Sequence, residues 1–229
     1  KRTLIVAIHS GDLQAVKHFV GEDPKIIHGG PGLNDSTPLH YAASFGQLAV
    51  CKWLIEQGAD RAARSPGGSI AAHLAVWQKN GDVLRAVCTP QLANAQDDTG
   101  STPLHNCAME DNVEMARILV DEFKAFVNIR SNHGYTPLLL ASERKHTRFC
   151  LFLLANNADV NGVATWPSGQ QTLTPLHYSV LADPWSQELT ELLLQMGADP
   201  HAKGVNGTPW EMAQRRSEVK KMFEKHMKE

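Results

Sequence analysis

Apolar and small residues fall along this chain in a two-beat pattern. In the clearest instance, Leu39, Ala42 and Ala43 mark one face of a short helix. Val50, Cys51, Leu54 and Ile55 follow at i, i+1, i+4 and i+5, the stripe of a second helix. Gly46 stands between the two and supplies the backbone freedom a helix end often uses. Gly58-Ala59-Asp60 breaks the second stripe. The first helix has a defined start, since Thr37 can cap it with its hydroxyl and Pro38 fits the first helical position, where a missing N–H costs nothing. A stretch rich in Ser, Pro and Gly then leads to the next start, as expected of a turn or hairpin.

The same grammar recurs. Thr37-Pro38-Leu39-His40, Ile70-Ala71-Ala72-His73, Thr102-Pro103-Leu104-His105, Thr136-Pro137-Leu138-Leu139, Thr174-Pro175-Leu176-His177 and Thr208-Pro209-Trp210-Glu211 follow one another at steps of 33, 32, 34, 38 and 34 residues. Ala75, Ala108, Ala141 and Ala213 take the place of Ala42, and Gly197-Ala198-Asp199 and Asn157-Ala158-Asp159 that of Gly58-Ala59-Asp60. Upstream, Leu4, Ala7, Gly11, Val16 and Phe19 fit the template without a Thr-Pro pair. Seven units result, roughly 1–32, 33–64, 65–96, 97–130, 131–163, 164–202 and 203–229. A unit of this size cannot bury its apolar face alone, so neighbours are expected to stack into a single repeat domain over 1–229. The third unit is the irregular one: it lacks Thr-Pro, and its second helix runs into Cys88-Thr89-Pro90.

Thr-Pro-Leu-His three times over, in phase with Gly-Ala-Asp, resembles the ankyrin repeat family across essentially the whole chain. Armadillo and HEAT repeats have longer periods and no Thr-Pro start, and tetratricopeptide repeats need a different aromatic and alanine pattern. The resemblance implies an all-α solenoid of about seven helix-turn-helix units with short β-hairpin loops. It also implies structural work for His40, His73, His105 and His177, whose rings would hydrogen-bond Thr and neighbouring backbone. Partners in this family meet a concave groove and the hairpin tips. Carried onto this chain, the groove would expose His9 and Ser10, Ser44 and Phe45, Trp77 and Gln78, Met109 and Glu110, Glu143 and Arg144, Leu181 and Ala182, and Arg215 and Arg216.

Phe45, Trp77 and Met109 would then stand in successive units as an exposed apolar stripe, the kind of patch that marks a binding site and supplies hot spots. The competing reading has Phe45 and Trp77 tucked against adjacent helices. Gln78, Glu110, Glu143 and Arg144 border the stripe, where charges fix register and reject wrong partners. The connection from Ala158 to Thr174 is longer than its counterpart from Ala59 to Ile70 and carries Trp166; further residues around Trp185 lengthen the sixth unit. Both tryptophans are candidates to extend the surface or, equally, to pack on their own loops.

Composition narrows the function. Among 229 residues, 22 Lys and Arg face 24 Asp and Glu, which argues against whole-domain attraction to nucleic acid or anionic membrane. No apolar run approaches a membrane span and no signal peptide is visible. The start inside a repeat suggests a piece of a longer protein. Cys51, Cys88, Cys107 and Cys150 all fall on small-apolar core positions, as buried thiols of a cytoplasmic or nuclear protein would. His146 and Cys150 stand four apart like two metal ligands, yet the loop position of His146 and the core position of Cys150 oppose that, and no second pair has ligand spacing.

No catalytic motif is present: no Gly-x-Ser-x-Gly elbow, no phosphate-binding loop, no His-Glu-x-x-His. Asp97-Asp98 fits a hairpin better than acid–base work. From Ala213 to Glu229 six basic residues meet three acids, which suits the solvated face of a closing helix buried through Val219, Met222 and Phe223. Asn161 resembles hairpin asparagines that a cellular asparaginyl hydroxylase modifies in some ankyrin proteins. The expectation is a non-catalytic protein- or peptide-binding module, with no metal, cofactor, nucleic acid, membrane or small-molecule substrate. The alternative is the substrate-recruiting arm of a larger enzyme, a ubiquitin-ligase adaptor or a bacterial effector.

Overall fold

Helices begin where the chain supplies its own acceptor for the orphaned first N–H groups. The computed structural model describes residues 3–30, 32–164, 173–181 and 185–227. The elements fall into two compact units, residues 1–125 and 126–229. The first unit holds α1 (Leu4–His9), α2 (Leu13–Glu22), α3 (Pro38–Ser44), α4 (Leu48–Glu56), α5 (Ala71–Ala75), α6 (Gly81–Val87), α7 (Pro103–Met109) and α8 (Val113–Arg117). Odd-numbered helices pack on odd and even on even along the chain, α1 on α3 on α5 on α7 and α2 on α4 on α6 on α8. The second unit repeats the plan with α9 (Pro137–Glu143), α10 (Thr147–Ala155), α11 (Pro175–Leu181), α12 (Gln187–Gln195), α13 (Pro209–Ala213) and α14 (Ser217–His226).

The histidine of each Thr-Pro-Leu-His block does two jobs. The Thr37 N–H donates to Nδ1 of His40 at 3.1 Å, with the Thr37 hydroxyl 2.9 Å from the same nitrogen. That leaves the ring proton on Nε2, which donates to Ser69 O at 3.1 Å in the next repeat's hairpin. His73 and His177 reach Ser101 O and Gly207 O in the same manner, each at 3.0 Å. Thr136 has Leu139 in the histidine's place and caps α9 through its own hydroxyl. Glu211 accepts from the Thr208 N–H at 2.8 Å as the histidines do, but has no donor to pass on.

The hairpin tips close as tight turns rather than ladders: Ser65 N–H to Ser69 O, Asp97 N–H to Ser101 O, Ser131 N–H to Tyr135 O, and an isolated bridge between Gly204 and Gly207. Asparagine side chains staple successive loops. Asn128 donates to Asn157 O and accepts from the Asp159 N–H; Asn161 does the same with Gly197 O and Asp199 N–H.

One irregularity has a countable cause. From the first residue of α4, α10 or α12 to the buried alanine that follows the helix is 11 residues, but from Val113 to Ala125 it is 12. The extra residue is absorbed in a π-helical turn over Ile118–Glu122. Ala125 N–H accordingly reaches back to Leu119 O, one residue further than Ala59 to Leu54 or Ala158 to Leu153. The third pair is irregular as expected: α5 is the shortest first helix of its unit and gives way to a 3₁₀ turn at Val76–Gln78.

All four cysteines are buried. Burial pushes the Cys51 and Cys88 thiols up to about 12 and the Cys107 thiol well above its usual value. Val219 and Phe223 are buried beneath α14, Phe223 beside the Trp210 ring at 6.1 Å, while Met222 is half-buried.

Candidate partner-binding surface

The turns that join the two helices of each pair share one backbone device. Gly11, Gly46, Lys79, Asp111 and Lys145 all have φ between +52° and +72°, the left-handed residue that closes a helix and releases the chain sideways. In the first unit these turns are also sewn together. The side-chain amide of Gln47 donates to His9 O at 2.8 Å, that of Gln78 to Ser44 O, and that of Asn112 to Val76 O at 3.4 Å. Each bond satisfies a carbonyl that a helix end leaves without an intrahelical partner. Four consecutive turns therefore form one continuous edge of the first unit.

Trp77 sits in the middle of that edge and is 45% exposed. Gln78 beside it is exposed at the surface, although its amide is committed to Ser44. Phe45 is half-buried: the His9 ring meets it edge-on at 4.7 Å and the Tyr41 ring lies 6.2 Å away. Met109, the last residue of α7, is half-buried too, and Glu110 after it is exposed. The edge is thus an exposed indole with partly covered apolar shoulders and an acidic end at Glu110 and Asp111.

Glu143 and Arg144 belong to the second unit, exposed at the end of α9. Trp185 is half-buried, just ahead of Ser186, which caps α12. Trp166 and Ala182 lie outside the described residues. His146 precedes α10, and Cys150 is buried with its sulfur 3.6 Å from the Ser142 hydroxyl. Among the described residues no three His, Cys, Asp or Glu side chains gather to hold a metal ion, and no helix is long and apolar enough to cross a membrane.

The amide staircase was not anticipated, although Gln47, Gln78 and Asn112 carry amides in corresponding inter-helix turns. A family model of three ankyrin repeats matches residues 4–93 and again 73–164, and a single-repeat model matches residues 173–205. The chain belongs to the ankyrin repeat family. Ankyrin repeats are protein–protein interaction modules, and the fold is generally non-catalytic.

Relatives of this ankyrin chain are longer proteins. Human ankyrin repeat and SOCS box protein 16 is 32% identical over 180 residues, 76% of this chain and 39% of that protein. Human Rabankyrin-5 is 32% identical over 166 residues, covering 71% and 14%. The Saccharomyces cerevisiae target of rapamycin complex 2 subunit AVO2 is 26% identical over 159 residues, covering 68% and 37%. The chain therefore spans well under half the length of these relatives. Among solved structures, the ankyrin repeat domain of Bcl-3 aligns over 98% of both chains with a TM-score of 0.77 and 28% identity. The human ASB11 ankyrin repeat domain, at a TM-score of 0.79 and 22% identity over 99% and 98% of the two chains, shares the fold.

Proposed function

We propose that the chain is a non-catalytic recognition module whose first unit binds a partner protein or peptide through the edge centred on Trp77, with Phe45 and Met109 as apolar shoulders and Gln78 and Glu110 setting register. The observation that carries this is the exposed indole on a turn already fixed by backbone and amide hydrogen bonds. A Trp held this way offers a large contact area with little ordering cost, and such an anchor is worth about 2 kcal/mol or more to binding. Glu143, Arg144 and Trp185 stand on the second unit as a separate surface.

The test is affinity capture followed by quantitative mass spectrometry with the wild-type chain and the Trp77→Ala/Met109→Ala double variant. The specific partners should disappear from the variant while its helical circular dichroism stays unchanged. Equal capture by both refutes the site.

A second reading, the recruiting arm of a larger enzyme, a ubiquitin-ligase adaptor or an effector, draws on the length of the relatives, one of them a SOCS box protein. Reading the parent sequence on either side of the chain tests it, since a catalytic or adaptor motif must lie there. The buried thiols suit a reducing compartment, which supports a cytoplasmic or nuclear setting.

A further inference from the structure

The corresponding turn edge of the second unit carries a different chemistry. Its helices α9, α11 and α13 pack side by side in chain order. Their N-terminal ends are tied together: the Tyr135 and Tyr178 hydroxyls hydrogen-bond at 2.8 Å, and His177 reaches Gly207 O at 3.0 Å just ahead of α13. Helices joined at one end and packed along their length bring their other ends together as well. Those other ends present Glu143, Arg144 and Lys145 after α9, Leu181 at the end of α11, and Arg215 and Arg216 after α13. Arg144, Glu143 and Arg215 are exposed, and Leu181, an apolar side chain between the two basic turns, is 42% exposed.

Cations at helix C-termini relieve the macrodipole, which gives a purely structural reason to place them there. The first unit argues against that as the whole reason. Its equivalent positions are Ser10, Phe45, Gln78 and Glu110, so closing such helices in this chain requires no cation.

We infer that this edge of the second unit binds an acidic peptide segment, with Asp or Glu side chains on Arg144 and Arg215 and one apolar side chain on Leu181. Four cations against the single carboxylate of Glu143 give the edge a positive field, in a chain whose net charge is −2. Arginine forks pair with carboxylates in two-point geometry. Packed helices lie about 8–10 Å apart, so Arg144 and Arg215 span about 20 Å, the reach of about six extended residues. Leu181 between the cations favours a ligand that alternates charge with an apolar side chain, which a peptide does and a phosphate backbone does not. The inference stands apart from the Trp77 surface.

The test is fluorescence anisotropy with the full chain and a fluorescein-labelled ten-residue peptide of Glu and Asp around one central Leu. Binding is expected, weakened about tenfold by replacing the central Leu with Ser, and at least tenfold by Arg144→Glu/Arg215→Glu. Arg144→Gln/Arg215→Gln, which removes charge without adding any, should give an intermediate loss, with unchanged circular dichroism in both variants. The inference is overturned if the peptide does not bind at millimolar concentration, if its Gln/Asn counterpart binds equally, or if a ten-nucleotide single-stranded RNA binds as tightly. Loss of peptide binding in Trp77→Ala would move the peptide to the first unit and equally overturn it.

Discussion

The residues that do most for this fold are the histidines, because each is shared between two repeats. His40, His73 and His177 are buried, and burial lowers their pKa from 6.5 against the opposing pull of the carbonyls they donate to. Nδ1 is occupied as an acceptor, so a second proton has no place without breaking the bond to the capping residue's N–H. Just below pH 6.5 the unfolded chain therefore binds more protons than the folded one, and stability falls with pH. Thermal melts should show a lower midpoint at pH 5.5 than at pH 7.5; an unchanged midpoint contradicts the neutral, bridging histidine. The environment of His177 offers a second check. A Cβ at Gly204 would lie 2.6 Å from its Nε2, and the ring is held from both sides. Gly204→Ala should cost about 1–3 kcal/mol in chemical denaturation, as overpacking of a fixed group does.

At the scale of elements, much was legible from residue types alone. Thr-Pro marks the starts of α3, α7, α9, α11 and α13 because it answers the helix's need for an acceptor and no donor. The irregularity of the third pair was legible too, from the missing Thr-Pro. The π-helical turn was not drawn from the sequence, since apolar periodicity marks a stripe without fixing how many residues separate its end from the next anchor. Counting from Val113 to Ala125 reveals it.

That count gives a sharp test. Deleting Asp121, an exposed residue of the π-helical turn, restores the ordinary spacing. Its melt should remain cooperative, with a midpoint within a few degrees of wild type. Deleting Ala49, equally exposed but within the regular α4, moves Val50, Cys51 and Leu54 out of register with the core. That variant should lose its cooperative transition. The reverse order of damage would mean that the extra residue serves some purpose other than slack.

For the molecule as a whole, repetition decides what it can do. Buried small and apolar residues hold each unit together, and the turns between paired helices are left to vary, an exposed indole with acids in the first unit and arginines with a leucine in the second. The sequence located these positions by their offset from the paired small residues, but not how far each is covered. Phe45 is partly shielded because His9, one repeat earlier, meets its ring, a contact between residues 36 positions apart that no local pattern encodes. The most direct test of the recognition edge is oxidative footprinting of the chain alone and in complex with a captured partner, since Trp and Met side chains react readily and report their own exposure. Oxidation of Trp77 and Met109 should fall sharply in the complex while Leu151 and Met196 on the second unit react as before. Unchanged oxidation of Trp77 in the complex would contradict the account.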